Sequence, residues 1–419
     1  MSNLPSIDAD LISRDPYLRR TSTGFPLLPG GYGRSAYHVG RPASYAIRGE
    51  GWRLWDQDGR EFIDANGNFT TLIHGNAHPE LVEAAERAIR AGSSWGIPNA
   101  EEWELADRLL ARLPGLDQIR FTNSGTEAVM AAIRIARGVT GRDDVIMTTH
   151  GYHGSSDLAL STSGPVRGVP TAVSDALSLL PVNDIETLRR LFADGPRRYA
   201  AIVLDLIPNK AGLIPLDPAF VAEARELATQ NGVLLIFDEV ISIRLGANGL
   251  SGEYGVTPDL LTTGKLIGGG FPVGAVAGTA DVMTTIDPRR SDEISLSGTF
   301  SGNPVSMAAG AAALRILDEK AVTRLNALGN VARAEASFRV ADAGWEFRGQ
   351  GSLLRPFPKG AQKVAPEIQH ALWWAGHERG VIMSSANLVA LSTPMSGDVI
   401  ADLADRLVDA VLAVADSTN

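Results

Sequence analysis

The sequence contains no cysteine, and this single absence excludes several kinds of site. Without thiols the chain cannot form disulfides, thiolate zinc sites or iron–sulfur clusters, and it cannot use a cysteine nucleophile. The N-terminal residues include no apolar stretch of the kind found in signal peptides, and no apolar run is long enough to span a membrane. We therefore expect a cytoplasmic protein with no membrane partner.

An excess of positive charge is also lacking. Lys and Arg number 38 against 48 Asp and Glu, so the formal net charge is −10. This balance argues against nucleic acid or an anionic membrane surface as the main partner, but it leaves room for a local basic pocket that binds a small anion. What is present is a hydrophobic fraction of 44% in 419 residues, which suffices for a large core and more than one lobe.

The middle of the chain alternates apolar runs with amphipathic segments. The runs "YAAIVLDLIP" and "GVLLIFDEVIS" are apolar on both pleat faces, and the helix-like segment "DPAFVAEARELATQNG" separates them. This order predicts an α/β fold whose large domain has a mostly parallel sheet covered on both faces. We predict an N-terminal arm and hairpin at 1–65, a large domain at 66–315 and a C-terminal part at 316–419. The first and last parts together are expected to form a smaller α+β domain.

Local patterns add three predictions in the first hundred residues. Residues 1–45 are rich in Pro, Gly and Ser without clear periodicity, which indicates an arm with one short helix. Residues 45–64 alternate on both sides of the turn signal "DQDG", which predicts a hairpin. Residues 78–92 are amphipathic and finish at a glycine, as a helix does.

Two charged residues come at the ends of apolar runs. Asp238 ends "LLIFD", and ligands of open α/β sheets bind at the carboxyl ends of strands. Lys265 follows the next apolar run, and a buried lysine becomes a nucleophilic amine suited to Schiff-base chemistry. The alternatives are a capping or salt-bridged aspartate and a surface lysine. The flanking "IGGGFPVG" argues against a surface lysine, because it indicates backbone packed closely around a bound group.

Two loops offer contacts for a phosphate and for a flat ring. Ser124, Gly125 and Thr126 precede a long apolar helix, and a helix N-terminus with hydroxyls binds phosphate well. A plain N-cap is the alternative. In "HGYHG", Tyr152 and His153 lie between glycines, where an aromatic ring can stack on a flat ligand or pack within its own domain. The loop "LSGTFSGNP" is a second candidate phosphate contact.

Together these features predict one cofactor. A carboxylate for a pyridinium nitrogen, a lysine for an aldehyde, a helix N-terminus for a phosphate and an aromatic side chain for a ring are the requirements of pyridoxal phosphate. We predict this cofactor and no metal.

With these motifs in this order, the chain resembles the class III, or ω-type, aminotransferases, which have pyridoxal-phosphate-dependent transferase fold type I. The resemblance covers nearly the whole chain and rests on "NSGTEAVMAAIRIAR", "GYHG", "LLIFDEVIS", "TTGKLIGGGFPVGA" and "GTFSGNP". Within that class the chain is most similar to the glutamate-1-semialdehyde aminomutases and the related β-amino-acid aminotransferases. The segments "LPGGYGRS" and "SDALSLLPVNDIETL" carry this closer likeness.

The resemblance implies roles for individual residues. Lys265 would form the Schiff base and move the substrate proton, while Asp238 would keep the pyridine nitrogen protonated. The other cofactor contacts that the resemblance implies are with the phosphate-binding Ser124, Gly125 and Thr126, the stacking Tyr152 beside His153, the covering Val240, and Asp205. Thr299 would reach the phosphate in the neighbouring subunit of a homodimer with shared active sites. The implied substrate contacts are Arg34, which would grip a carboxylate, and Phe69, Trp95 and Asn387.

Some positions depart from the family pattern. Asp205 stands where the family usually has glutamate, so we expect the shorter side chain not to reach the partners of that glutamate. Asn387 lies near the place of an arginine that binds the acceptor's carboxylate in β-amino-acid aminotransferases, so the usual acceptor contact is expected to be missing. Phe69 occupies the place of an entrance aromatic that is often tryptophan in the aminomutases. Arg355 is unexpected and either compensates for the missing arginine or is an ordinary surface residue.

The leading prediction is a pyridoxal-phosphate-dependent aminotransferase that moves an amino group between an amine or amino acid and a carbonyl acceptor. One alternative is an enzyme that acts on a single substrate, either an aminomutase of the glutamate-1-semialdehyde type or a racemase or epimerase. Another is a protein of the same fold that has lost catalysis and serves as a binding or regulatory subunit. The intact pair of Lys265 and Asp238 argues against the last alternative.

Overall fold

The computed structural model describes residues 24–195 and 198–418, so residues 1–23 of the predicted arm, with any helix expected there, lie outside the described residues. The strands, in chain order, are β1 (Ala46–Glu50), β2 (Arg53–Asp56), β3 (Glu61–Asp64), β4 (Gln118–Thr122), β5 (Asp144–Thr148), β6 (Leu177–Leu180), β7 (Tyr199–Asp205), β8 (Leu234–Asp238), β9 (Leu260–Gly264), β10 (Gly274–Gly278), β11 (Trp345–Gln350), β12 (Leu353–Pro358), β13 (Val381–Ile382) and β14 (Val389–Ala390).

The longer helices of the described chain are α1 (Pro79–Ala91), α2 (Ala100–Leu110), α3 (Gly125–Thr140), α4 (Ile185–Asp194), α5 (Pro218–Asn231), α6 (Pro304–Ile316), α7 (Glu319–Arg339), α8 (Pro366–Glu378) and α9 (Gly397–Thr418). Shorter α-helices cover Gly67–Thr70, Asp157–Leu160, Thr171–Asp175 and Ala280–Met283. None of the helices in the described part of the chain is long and apolar enough to cross a membrane.

The largest sheet has seven strands in the order β4-β10-β9-β8-β7-β5-β6. Its neighbours from β9 to β6 are parallel, whereas β10 runs antiparallel to both β4 and β9. Every residue of β7 is buried, which is why its sequence is apolar on both pleat faces. The predicted α/β fold with a mostly parallel sheet is confirmed. Since β7, β8 and β9 are parallel neighbours, their carboxyl ends meet at one edge of the sheet.

Two smaller sheets lie outside this large sheet. One has the order β1-β2-β3-β13 and so pairs the N-terminal strands with a strand from the C-terminal part of the chain. The other joins β11, β12 and β14, and α7 packs against β11. The N- and C-terminal parts therefore combine in a smaller α+β unit, as the predicted fold class requires. The residue limits of the domains stay predictions.

The hairpin predicted around the turn "DQDG" is confirmed, but the segment 45–64 contains a third strand that the prediction missed. The segment forms three antiparallel strands, β1, β2 and β3. The predicted turn lies between β2 and β3, but an additional tight turn separates β1 from β2 at Gly51, which has a positive φ of 54°. Glycine adopts this left-handed conformation without steric cost, and the alternation of the flanking residues hides the turn.

The predicted helix ends are confirmed where glycine or serine supplies the cap. Helix α1 finishes before Gly92, whose N–H donates to the carbonyl oxygen of Ala88 at 3.0 Å. Helix α3 begins after Ser124, whose hydroxyl oxygen accepts a hydrogen bond from the Glu127 N–H at 3.2 Å. This N-cap fixes the position of the α3 N-terminus beside the carboxyl ends of β8 and β9.

Candidate active site

Polar side chains converge where β7, β8 and β9 end. Asp205 is the last residue of β7 and pairs in register with Asp238, the last residue of β8. Asp238 in turn pairs with Thr262 of β9, three residues before Lys265. The two carboxylates and the lysine predicted from separate motifs are therefore brought to one edge of the sheet.

Asp238 is only 4% exposed, and its carboxylate is surrounded by hydrogen-bond donors. It accepts hydrogen bonds from the His153 Nδ1–H at 2.7 Å, the Val240 backbone N–H at 3.1 Å and the Thr262 hydroxyl at 3.1 Å. Three donors stabilise the charged form of a buried carboxylate. Asp238 is therefore structurally paired, as the alternative proposed, because His153 binds one of its oxygens. The same carboxylate also lines the cavity.

His153 lies beneath Asp238 and not beside Tyr152 as a second stacking ring. Its ring is buried, and no hydrogen-bond partner for Nε2 is found in the described part of the chain. Burial lowers the pKa of His153, but the hydrogen bond and charge of Asp238, together with Asp205, outweigh burial and raise it. His153 therefore acts on the site through Asp238, which it holds in place and whose negative charge it stabilises.

Lys265 begins a short turn directly after β9 and has a positive φ of 53°. Its side chain is half-buried, and the contacts of the described residues include no hydrogen bond or ion pair to its amine. Burial lowers the pKa of Lys265, while the charge of Asp238, and that of Asp205 when it is ionised, act in the opposite direction. The result is an amine that loses its proton more easily than a surface lysine, so the surface-lysine alternative is wrong.

The glycines after Lys265 allow the chain to pass close to other backbone. A methyl group at Gly269 would lie 2.5 Å from the carbonyl oxygen of Ala309, and Gly269 has a left-handed φ of 59°. A methyl group at Gly274 would lie 2.0 Å from the carbonyl oxygen of Ser124. Both contacts exclude any larger residue without movement of the backbone. They bring the end of the lysine turn close to α6 and the start of β10 close to the loop before α3.

The N-terminus of α3 opens towards the same space. Ser124 caps the helix, and the N–H groups of Gly125 and Thr126 in the first turn have no intrahelical acceptor. A methyl group at Gly125 would lie 2.9 Å from the Val240 side chain, so only glycine fits at this position. A helix N-terminus with a hydroxyl residue is suited to a phosphate group.

One cavity of about 390 Å³ joins these groups. Its lining includes ten of the residues predicted for the site, namely Arg34, Ser124, Gly125, Thr126, Tyr152, His153, Asp205, Asp238, Val240 and Lys265. The described residues include no group of three or more His, Asp or Glu arranged to hold a metal ion. The cavity thus has a lysine and two carboxyls near the sheet and a helix N-terminus suited to an anion.

Four predicted residues do not line this cavity. Asn387 is 1% exposed, and its side-chain amide donates to the carbonyl oxygen of Gln369 at 3.0 Å. The expectation that it contacts a substrate is not supported, because the side chain is used within the smaller domain. Phe69 also lies outside the lining, whereas its neighbour Asn68 is part of it. Both Phe69 and Asn68 have left-handed backbone, with φ of 57° and 48°.

Trp95 and Thr299 are exposed and lie outside the cavity of their own chain. Tyr152 does line the cavity, and its ring is contacted by the Lys210 amine at 4.7 Å from the ring centroid.

Arg355 is not the surface residue of the second alternative, because it is 4% exposed. Its Nη1 donates to the carbonyl oxygen of Asn209 at 2.6 Å, and it does not line the cavity. Burial, with a smaller effect of Arg348, lowers the pKa of Arg355 to about 10. The side chain therefore holds the loop that follows β7, and in this conformation it does not replace the missing arginine near Asn387.

Sequence reasoning missed two polar contacts of the site. Thr262 donates to Asp238, and Asn68 accepts a hydrogen bond from the Arg34 Nη1–H at 2.9 Å. Thr262 was missed because its contact follows from the pairing of β8 with β9, which brings it beside Asp238. Asn68 had no signal in the sequence, since its contact depends on how the arm crosses the large domain.

Comparisons with known proteins agree on one family. A sequence model of the class-III aminotransferases matches residues 36–410. The chain is similar to the glutamate-1-semialdehyde 2,1-aminomutase of Heliobacterium modesticaldum, with 39% identity over 79% of each chain. It is also similar to the enzyme of that name from Aeropyrum pernix, with 36% identity over 89% of this chain and 92% of the relative.

Solved structures give the same picture. An omega-transaminase from Sphaerobacter thermophilus has 38% identity and a TM-score of 0.89, covering 93% of this chain and 95% of its own. A β-phenylalanine aminotransferase from Variovorax paradoxus has 34% identity and a TM-score of 0.85, covering 92% and 90%. A transaminase solved with pyridoxal phosphate has 36% identity and a TM-score of 0.89, covering 93% and 96%.

Proposed function

The chain belongs to the class-III aminotransferases, which are pyridoxal-phosphate-dependent enzymes, and we propose that its amino donor carries a carboxylate that Arg34 binds. The observation behind this proposal is that Arg34 and Lys265 line the same cavity. Among the described residues they are the only arginine and lysine in its lining. A guanidinium binds a carboxylate through two parallel hydrogen bonds, so it can both hold and orient the donor.

The residues of the cavity fit pyridoxal phosphate. The α3 N-terminus with Ser124 and Thr126 supports phosphate binding, and the carboxylate of Asp238 supports a contact with a protonated ring nitrogen. Tyr152 and Val240 also line the cavity and would cover the two faces of the ring. The bound cofactor supplies an aldehyde that condenses with amines and a ring that withdraws electrons from the substrate carbon.

Within this site Lys265 is the group that moves protons. Burial favours its neutral amine, whose Nζ can remove the proton from the substrate carbon that bears the amino group. The same nitrogen would hold that proton inside the cavity and return it at a later stage of the reaction. Asp238 keeps its negative charge through the hydrogen bond from His153, which supports a protonated ring nitrogen throughout the reaction.

An aminomutase that acts on one substrate is the second candidate. It is supported by two relatives of that name, which are 39% and 36% identical to this chain. In an aminomutase the cofactor returns to its starting form on each substrate molecule, so no separate acceptor is consumed. In an aminotransferase the amino group stays on the cofactor until a second substrate removes it.

Absorbance of the cofactor distinguishes the two candidates. We expect that a carboxylate-bearing amine, added without an acceptor, will convert the long-wavelength band of the holoenzyme fully to the band of the aminated cofactor. A 2-oxo acid should then restore the first band. Turnover of a single substrate with no lasting change in the bands would contradict the two-substrate proposal and favour the aminomutase or an epimerase.

We also propose a homodimer with shared active sites. The support is that Thr299, Trp95 and the apolar side chains of Phe300 and Trp103 are exposed. The two segments that carry them are joined by the Asn99 amide, which donates to the carbonyl oxygen of Gly302 at 2.9 Å. Large apolar side chains grouped on a surface favour association with another protein surface. Light scattering that reports a monomer would contradict this proposal. A cytoplasmic location stays a prediction, which fractionation of the source cells would test.

A further inference from the structure

Asp205 and Asp238 form a pair of neighbouring carboxyls with very different surroundings. They are in register at the ends of adjacent parallel strands, and each is 4% exposed. Both line the cavity that also contains Lys265. Two buried carboxyls at such neighbouring positions repel each other when both are charged, so one of them tends to retain a proton.

Hydrogen bonding decides which of the two retains it. Asp238 accepts three hydrogen bonds, from His153, Thr262 and the Val240 backbone. Asp205 accepts one, from the Ile207 backbone N–H to Oδ1 at 3.0 Å, and the described residues offer no donor to Oδ2. Donors stabilise a charged carboxylate, so the negative charge belongs on Asp238 and the proton on Asp205.

We propose that Asp205 is a neutral carboxylic acid before the cofactor binds and that, as a positioning residue, it then keeps the free amine of Lys265 unprotonated. If both carboxyls were charged, two negative groups would favour the ammonium form of Lys265. With Asp205 neutral, only Asp238 attracts that proton, and the donors around Asp238 already offset its charge. The amine is then free to react with a carbonyl.

The other titratable groups around Asp205 are consistent with this assignment. Burial, and then the charge of Asp238, raise the pKa of Asp205 to about 7, while His153 and Lys265 act weakly in the opposite direction. Tyr254 is the remaining titratable neighbour, and burial raises its own pKa to about 12, so it stays neutral. Asp205 therefore keeps its proton below neutral pH and loses it around pH 7.

The effect of Asp205 on Lys265 rests on the proposed function. The protonation state of Asp205 does not, and it can be measured without any reaction. Infrared spectra of the full-length protein are recorded across pH, and the spectrum of Asp205→Asn is subtracted from that of the wild type. We expect a carboxylic-acid carbonyl band that is missing in Asp205→Asn and that disappears with a midpoint near pH 7. Asp409→Asn, at an exposed position of α9, should leave this band in place.

A second variant keeps the test informative if Asp205→Asn does not fold. Asp238→Asn removes the neighbouring charge but leaves Asp205, so the midpoint of the Asp205 band should move to lower pH. Absence of an acid band in the wild type near pH 6, or a band that disappears near pH 4, would overturn the proposal. If the wild type shows the Asp205 infrared band but no carboxylate-bearing amine aminates its cofactor, the proposed function is refuted and the protonation of Asp205 stands.

The effect on Lys265 is measured by labelling its amine with an acylating reagent at different pH values in the cofactor-free protein. Asparagine mimics the neutral acid, so at pH 6 the Lys265 amine of Asp205→Asn should be labelled at a rate within about threefold of wild type. A rate about tenfold or more above wild type at that pH, which corresponds to a decrease of about one unit in the pKa of Lys265, would show that Asp205 is a carboxylate paired with the Lys265 ammonium.

Discussion

Replacing Asp205 by asparagine should change how the stability of the protein depends on pH. Burial and the charge of Asp238 raise the pKa of Asp205 from 3.8 to about 7 in the folded protein. The unfolded chain releases the same proton near the ordinary value. Between these values the folded state holds a proton that the unfolded state does not, so the stability of the wild type falls as pH rises towards 7.

The size of the effect follows from the width of this window. From about pH 5 to the folded pKa of about 7 there are two units, and each unit corresponds to about 1.4 kcal/mol, which gives about 3 kcal/mol. The asparagine side chain of Asp205→Asn does not titrate, so this variant does not lose that stability as the pH rises. Its free energy of unfolding relative to wild type should therefore rise by about 3 kcal/mol between about pH 5 and pH 8.

Urea unfolding followed by circular dichroism at several pH values measures this difference. Asp409→Asn is the matched control, since its exposed carboxyl should give a constant difference from wild type over the same range. A constant difference between Asp205→Asn and wild type would refute the reasoning, because it would mean that Asp205 is already ionised in the folded protein at pH 5.

Three further predictions concern the substrate, the lysine turn and the subunit interface. Arg34→Ala should lower kcat/KM about tenfold to a hundredfold for a carboxylate-bearing amine, but not for a simple amine of similar shape; an equal loss on both would assign Arg34 to the structure of the arm. Gly269→Ala adds a close contact to its backbone strain and should destabilise more than Gly59→Ala, a positive-φ control with nothing within 4 Å, by at least about 1 kcal/mol in urea unfolding. Mixed Lys265→Ala and Thr299→Ala subunits should regain part of the activity that each variant lacks, and no recovery from unfolded and refolded mixtures would contradict shared sites.

Much of the fold was predictable from the sequence because the central strands are buried on both faces. Such strands are continuous apolar runs, and their ends are marked by the charged residues that the cavity uses, Asp205 and Asp238. Glycine and serine caps marked the helix ends in the same local way. The extra turn at Gly51 was missed because the residues on both sides continue one alternating pattern.

The remaining parts of the site depend on contacts between distant segments. Asn387 was expected at the cavity from its place in the chain, but its amide is bound to Gln369 of α8. Arg355 is buried against the loop that contains Asn209, which no periodicity indicates. The arrangement of His153 beneath Asp238 likewise joins residues 85 apart in the chain, and only packing of the sheet brings them together.

The central claim is that Lys265 binds the cofactor covalently, and one measurement tests it directly. Borohydride reduction of the holoenzyme fixes the bond between the cofactor and its lysine, and peptide mass mapping then locates the modified residue. The account predicts a pyridoxyl group on Lys265 and none on Lys210, whose amine lies near the cavity against Tyr152. A pyridoxyl group on Lys210, or no modified lysine in a protein that contains the cofactor, would contradict the account.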